Sequence, residues 1–256
     1  MSSHTYSVII PAYNESARIR ATLEKVLKYL TDQDWSAEVI VVNDGSKDDT
    51  AEIVRLYASR DRRLRLLENP GNRGKGYSVR TGMLRAVGDL LLFSDADLSS
   101  PIEEAAKLFE AIGAGADMAI GSRWLRSELQ TRRQSWRRQL LGRAFNLVPR
   151  LVLGLNYKDT QCGFKAFTRG AAQMVFTKQR IEGWGFDPEL LFLARNNGLK
   201  VAEIPVTWAH SSETRIHPLR DGTAMLVEMF KIRGYALTGK YGKTEPLRQR
   251  VRPQRL

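Results

Sequence analysis

EVIVVNDGSKDDTAEIVRLY, Glu38 to Tyr57, holds half of a repeating structural unit. EVIVV is too short for a helix and apolar at every position after the first, which predicts a strand buried on both faces. Asn43-Asp44-Gly45-Ser46 is a turn. Lys47 to Tyr57 then places apolar residues at helical spacing, with acids in the first turn where the helix dipole favours them. A strand of this kind running straight into a helix predicts an α/β fold, a mainly parallel Rossmann-like sheet with helices on both faces.

The same alternation extends in both directions. Tyr6–Ile10, Leu64–Leu67 and Asp89–Phe93 read as strands, the first closed by Pro11, and Ala17–Leu30 and Gly76–Ala86 as helices. Downstream, Ile102–Ala111 reads as helix and Met118–Gly121 as strand. The arginine-rich Arg123–Arg150 reads as two amphipathic helices, and DTQCGFKAF (Asp159–Phe167) as a compact, turn-rich stretch. Pro188–Asn196 (helix) and Ala202–Thr207 (strand) follow. A loop, HSSETRIHPLRDG, then leads into Thr223–Tyr241, a core-packed or interfacial amphipathic helix. We expect one domain over 1–241, with halves 1–122 and 123–241, and a disordered basic tail over 242–256.

Composition narrows the function. The 256 residues suffice for a sizeable core, and the single cysteine, Cys162, rules out an internal disulfide and points to a reducing compartment. The start of the sequence has no signal-peptide pattern, and no stretch approaches the roughly 20 apolar residues of a membrane span. Arg123–Arg150 and Lys231–Leu256 each carry a net charge of +7 out of the total of +12, which leaves the rest of the chain at −2. Two basic surfaces of this kind suit a polyanionic partner: nucleic acid, anionic lipid or a phosphorylated substrate. The basic segments lack interleaved aromatic platforms and contain no nucleic-acid module, so no nucleic-acid partner is expected.

Ligands of such sheets sit beyond the carboxyl ends of the strands, which places Pro11–Glu15, Asp44–Ser46 and Asp95–Asp97 on one rim. LLFSDADLSS (Leu91–Ser100) ends a strand in two like charges. A divalent cation is the economical neutraliser, because Mg²⁺ takes one or two protein carboxylates and completes its shell with water and phosphate oxygens. The alternative is Asp97 as cap of the helix after Pro101 with Asp95 solvated. GNRGKGYS (Gly71–Ser78) fits neither nucleotide-loop pattern, but offers Arg73, Lys75 and the N–H groups opening a helix as a diphosphate cradle. Cys162 has no paired histidine or second cysteine and reads as a packed, neutral thiol. His210 and His217 read as loop residues or diphosphate contacts, and Trp184 and Phe186 as sugar-stacking or core aromatics.

In order along the chain, IIPAYNE, VVNDGSKDDT, NRGKG, SDADLS, GSR, DTQCGFKAFTR and GWGFDPELL resemble the family-2 glycosyltransferases of GT-A fold. Among these the dolichyl-phosphate β-glucosyltransferase branch is nearest and the dolichyl-phosphate mannose synthases next. The resemblance implies an inverting, metal-dependent transferase carrying glucose from UDP-glucose to a polyprenyl phosphate. Its alternatives are GDP-mannose, UDP-N-acetylglucosamine or another sugar acceptor. By the same resemblance Pro11, Ala12, Tyr13 and Glu15 contact the nucleoside, and Asp44 with Gly45 the base. Asp95, Ala96 and Asp97 face the donor diphosphate, the two aspartates holding Mg²⁺ or Mn²⁺. The mannose synthases carry a further glutamine ligand where this chain has Ser99, so no third ligand is assigned. Arg123, Ser135, Arg138, Gln161 and Trp184 fall on the acceptor, and Arg215 on the leaving diphosphate. Asp187 and Glu189 stand where a sugar-hydroxyl acceptor would need a base. A phosphate acceptor needs none, so Asp187 is expected to position the sugar, with base catalysis and an N-cap role as alternatives. A lipid phosphate acceptor further implies peripheral attachment to the cytoplasmic face of a membrane, with Arg123–Arg150 docked on its anionic surface.

Overall fold

The structure is a computed structural model and describes residues 5–132, 147–209 and 218–242. Its order is β1 (Tyr6–Ala12), α1 (Ser16–Asp32), β2 (Ala37–Asn43), α2 (Thr50–Ala58), β3 (Leu64–Glu68), α3 (Lys75–Arg85) and β4 (Leu90–Ser94). A 3-10 turn (Ile102–Glu104) leads into α4 (Ala105–Gly113), followed by β5 (Met118–Ser122), a second 3-10 turn (Ser127–Leu129) and β6 (Gln130–Arg132). Then come α5 (residues 147–153), β7 (Phe164–Thr168), α6 (Arg169–Lys178), α7 (Phe186–Asn196), β8 (Val201–Pro205), β9 (Trp208–Ala209) and α8 (Pro218–Leu237).

Seven strands form the main sheet in the order β3-β2-β1-β4-β7-β5-β8, and β6 pairs with β9 in a small second one. All main-sheet pairings are parallel except those of β7, which runs antiparallel between β4 and β5. Because side chains alternate across a strand, each apolar strand feeds two layers. Ile9, Ile40, Leu91 and Phe93 pack beneath α3, α6, α7 and α8. Val8, Ile10, Val39, Val41 and Leu92 pack beneath α1, α2 and α4. Each such side chain contributes about 1.5–3 kcal/mol by leaving water. The fit is close: a Cβ on Gly82 of α3 would lie 2.5 Å from Ile9 Cγ2 of β1.

The structure differs from the sequence reading in several places, one being that α8 begins at Pro218, inside the stretch read as a loop, and ends at Leu237. DTQCGFKAF is not turns throughout, since Phe164–Thr168 is the antiparallel strand, and it runs directly into α6, which the reading did not contain. The first residues of the arginine-rich segment form a 3-10 turn and the short β6 rather than a helix. Residues 147–153 are helical, and 133–146 lie outside the described residues, as do 210–217 and the tail from 243. The strand order reverses between β1 and β4, the switch point at which open α/β sheets bind ligands.

Candidate active site

The loops after β1 and β2 are tied together. Asn14, with φ +52°, donates its N–H to Ser46 Oγ (2.9 Å), and its own Oδ1 accepts from Lys47 N (2.7 Å). Glu15 N–H reaches Thr50 Oγ1 (2.7 Å) and Ser16 N–H reaches Asp48 Oδ2 (3.0 Å). Burial works against the Asp48 carboxylate, but hydrogen bonds from Thr50 and Ser16 outweigh it and hold its pKa down at about 2. Glu15 itself pairs with Arg18 Nε at 2.6 Å. Pro11 and Ala12 close β1, and Tyr13 follows them onto the rim.

Asp44, buried, has its carboxylate turned into the protein. Oδ1 accepts from Asn69 Nδ2 (2.7 Å) and Arg73 N (3.0 Å), and Oδ2 from Gly74 N (2.8 Å). It thereby shapes the GNRGKG loop. Gly45, at φ +69°, lets that loop approach, since a Cβ there would lie 2.6 Å from the backbone of Gly71. The loop delivers its two cations to different places. Arg73 lies over Tyr77 (4.8 Å) and pairs with Glu182 (3.3 Å) at the surface. Lys75, the first residue of α3, turns inward, and its Nζ lies 2.5 Å from Asp95 Oδ1.

The two aspartates occupy a tight turn. Asp95 N–H bonds Gly163 O (3.2 Å), Leu98 takes φ +46°, and Asp97 Oδ1 accepts from Ser99 N (2.9 Å). The helical turn after Pro101 has no side-chain cap, so Asp97 does not serve as one. Ala96 is buried behind them, its carbonyl accepting from Thr22 Oγ1 (2.6 Å). Burial raises the Asp95 pKa, and Asp97 and Asp187 add to the rise while Lys75 opposes it. For Lys75, burial disfavours the ammonium, but Asp95, Asp187 and Asp97 together outweigh it and raise its pKa.

Across the rim, Arg123 follows β5 and forms a two-pronged pair with Asp159, Nε to Oδ2 at 2.7 Å and Nη2 to Oδ1 at 2.8 Å. Burial opposes both charges, yet each holds the other ionised: the Arg123 pKa is raised and that of Asp159 lowered. Gln161 donates its N–H to Asp159 Oδ1 (3.2 Å) and its Nε2 to Met225 Sδ (3.3 Å) on α8. Asp187 is close enough to act electrostatically on Lys75, Asp95 and Arg123 alike. It sits in the first turn of α7, which opens one residue earlier at Phe186 after Gly185, so Asp187 is not the N-cap. Its Oδ1 lies 2.5 Å from Nζ of Lys165, fully buried on β7, which also donates to Cys162 O at 2.5 Å.

Other predicted residues fall into place around this centre. Trp184 is exposed at the edge, 5.4 Å from Lys75 Nζ, whereas Phe186 is core. Glu189 is locked by Arg180 N, Ile181 N and Tyr241 OH. Burial, with Asp159 nearby, pushes the Cys162 thiol up to about 11, so it is neutral. Ser135, Arg138, Arg215, His210 and His217 lie outside the described residues. Sequence reasoning missed Asp159, Gly163 and Lys165, all three inside the DTQCGFK motif that it quoted. Among the described residues no group of three or more His, Cys, Asp or Glu could hold a metal by itself. Nor is any described helix long and apolar enough to cross a membrane.

The profile of "Glycosyl transferase family 2" matches residues 7–176. A dolichyl-phosphate beta-glucosyltransferase of Trichomonas vaginalis is 39% identical over 218 residues, 81% of this chain and 65% of the relative. This chain thus spans about two thirds of that protein. Proteins of the same name from Drosophila melanogaster and Homo sapiens are 37% and 32% identical over 88% and 92% of this chain, and 73% and 76% of their own. Among solved structures, glucosyl-3-phosphoglycerate synthase of Mycobacterium tuberculosis, in complex with Mn²⁺ and UDP-glucose, superposes with a TM-score of 0.63 at 20% identity. The match covers 95% of this chain and 81% of that one, a likeness of fold.

Proposed function

This chain belongs to glycosyl transferase family 2, and from that premise we propose that it transfers glucose, with inversion, from UDP-glucose to a polyprenyl phosphate at the cytoplasmic face of a membrane. One observation carries the reading. At the switch-point rim a carboxylate pair with its lysine (Asp95, Asp97, Lys75) and a half-buried, firmly held arginine (Arg123) both lie in electrostatic reach of Asp187. Anionic donor and anionic acceptor each find a cation there. The names of the relatives, and the UDP-glucose bound by the structural neighbour, favour the donor and acceptor chosen.

The carboxylates suit a divalent cation. Asp95 Oδ1 is a buried atom whose contact is already a cation, the Lys75 ammonium at 2.5 Å, and two acids with diphosphate oxygens make up the ligand set that Mg²⁺ or Mn²⁺ takes. When bound, the cation would neutralise charge building on the departing diphosphate. The protein's own groups do the rest. Pro11, Ala12, Tyr13 and Glu15 line the rim for the nucleoside, with Asp44 and Gly45 shaping the loop beside it, while Lys75 and Arg215 serve the diphosphate. Arg123, Ser135, Arg138, Gln161 and Trp184 are assigned to the acceptor. A phosphate monoester, with a second pKa of about 6, is largely dianionic at neutral pH and needs orientation rather than deprotonation. Its oxygen bonds to the anomeric carbon as the bond to the diphosphate breaks. Asp187, paired with Lys165, positions the sugar and takes no proton.

The lipid end of the acceptor gives a role to the outer surface of α8 and α5. Leu226, Val227, Phe230 and Leu237 project from α8 beside the exposed Lys231 and Arg233, and Leu147 and Leu151 project from α5. Arg233 Nε joins the two helices through Val152 O (2.8 Å). Apolar groups interleaved with cations suit the headgroup layer of an anionic bilayer, where each basic residue contributes about 1 kcal/mol.

The direct test is sugar transfer to a short polyprenyl phosphate in detergent with labelled UDP-glucose or GDP-mannose. Transfer from UDP-glucose that stops with EDTA is the expected result. Full activity in EDTA, or transfer from GDP-mannose alone, would overturn the reading. Gly163 gives a second check. A Cβ there would lie 2.1 Å from Asp95 Oδ2, so Gly163→Ala must turn that carboxylate away. We expect the variant to stay folded and to bind UDP with Mn²⁺ at least about tenfold more weakly by calorimetry, a rotamer penalty of roughly 1.4 kcal/mol. Unchanged affinity would remove Asp95 from the cation site.

A further inference from the structure

Lys75 stands where the carboxylates are needed. Its ammonium lies 2.5 Å from Asp95 Oδ1, and the two side chains are only 17% and 35% exposed. A dication and an ammonium that both approach that oxygen repel one another and compete for its charge. From this we propose that Lys75 is a built-in counter-ion of Asp95 that excludes divalent cations from the nucleotide-free protein and yields its place when cation and diphosphate arrive together. The inference rests on the reading of Asp95 and Asp97 as cation ligands.

The surroundings support an exchange rather than a fixed bridge. Lys75 is the first residue of α3, so its backbone is anchored on a rigid element while its ammonium sits at the end of a flexible four-carbon stem. Within reach of the ammonium lie the rings of Trp184 (5.4 Å) and Phe186 (5.9 Å), whose faces attract a cation that has left Asp95. Without nucleotide, the pair Asp95 and Asp97 already has one positive charge in contact, so a dication meets a half-neutralised site. A diphosphate adds negative charge on its open side and gives the displaced ammonium a new partner. Cation and nucleotide then bind with positive coupling, and by linkage each strengthens the other equally.

The test separates charge from shape. Mn²⁺ binding to the nucleotide-free chain is read by the electron paramagnetic resonance of free Mn²⁺, and UDP binding at saturating Mn²⁺ by calorimetry. Lys75→Met is expected to bind Mn²⁺ alone at least about tenfold more tightly than wild type, as loss of a contacting unit charge requires even with strong screening. Its UDP affinity should fall by a similar factor. Lys75→Arg, which keeps the charge, should stay within about twofold of wild type for Mn²⁺ alone. If Lys75→Met leaves Mn²⁺ affinity unchanged or lowers it while wild type binds UDP with Mn²⁺ normally, the counter-ion role is wrong and the proposed function stands. If wild type binds no UDP with Mn²⁺ at all, the reading of the site falls and takes this inference with it. Thermal midpoints of both variants within a few degrees of wild type confirm that folded protein is compared.

Discussion

Asp97→Asn is expected to fold as wild type does and to lose about 10³-fold in the rate of sugar transfer. The substitution keeps size and shape, and the side-chain oxygen that accepts from Ser99 N can still do so, so the turn that carries both aspartates survives. What disappears is one of two negative charges. The other, on Asp95, is in contact with Lys75, so the loss leaves little net charge to hold a dication against the donor diphosphate. Removing one fixed electrostatic partner of a developing charge costs roughly 10²–10³ in rate where it has been measured, and a lost cation adds to that. The control is the thermal midpoint, expected within about 2 °C of wild type because a half-buried group is exchanged for its neutral isostere. Transfer above a tenth of the wild-type rate would show that Asp97 is not a ligand.

What could be read from the sequence follows the range of each interaction. EVIVV and LLLF are strands because local composition leaves no alternative, and β1 to β5 lie within two residues of where periodicity puts them. The twin aspartates were legible for the same reason: a strand end fixes where they stand. Strand β7 was not. In GFKAFT a glycine and a lysine interrupt the apolar run, and both are there for partners distant in sequence, Gly163 for Asp95 and Lys165 for Asp187. Helix α6 was hidden because Arg169–Lys178 buries little more than alanines with Val175 and Phe176. Asp44 was placed correctly on the rim, but nothing local shows that its oxygens close on Asn69, Arg73 and Gly74 about 25 to 30 residues later. Asp159 was overlooked for the same reason, its arginine lying 36 residues away.

The residue whose burial is hardest to reconcile with composition carries the second large effect. Lys165→Met is expected to destabilise the fold by about 3–5 kcal/mol, because it leaves a buried carboxylate without its counter-charge. Asp187 is 4% exposed and Lys165 not at all, so water cannot replace the ammonium. Cys162 O loses a donor as well. In a chain of this size each kcal/mol moves the thermal midpoint by roughly 2–4 °C, so a fall of about 10 °C is the measurable result. The double variant Lys165→Met/Asp187→Asn separates charge from packing. It removes the uncompensated acid while leaving the cavity as in the single variant, and should recover at least half of the loss, since contacting partners couple strongly. A single variant within about 1 kcal/mol of wild type would show the pair to be dispensable to the fold. The consequence reaches the chemistry through the backbone. Lys165 faces Phe93 across the β4–β7 ladder, two residues from Asp95 and two from Gly163, against which the Asp95 carboxylate is packed. Lys165 thus holds Asp187 directly and stands on the strand that follows Gly163, and the double variant, though partly restabilised, should still transfer sugar poorly because it also lacks the Asp187 carboxylate.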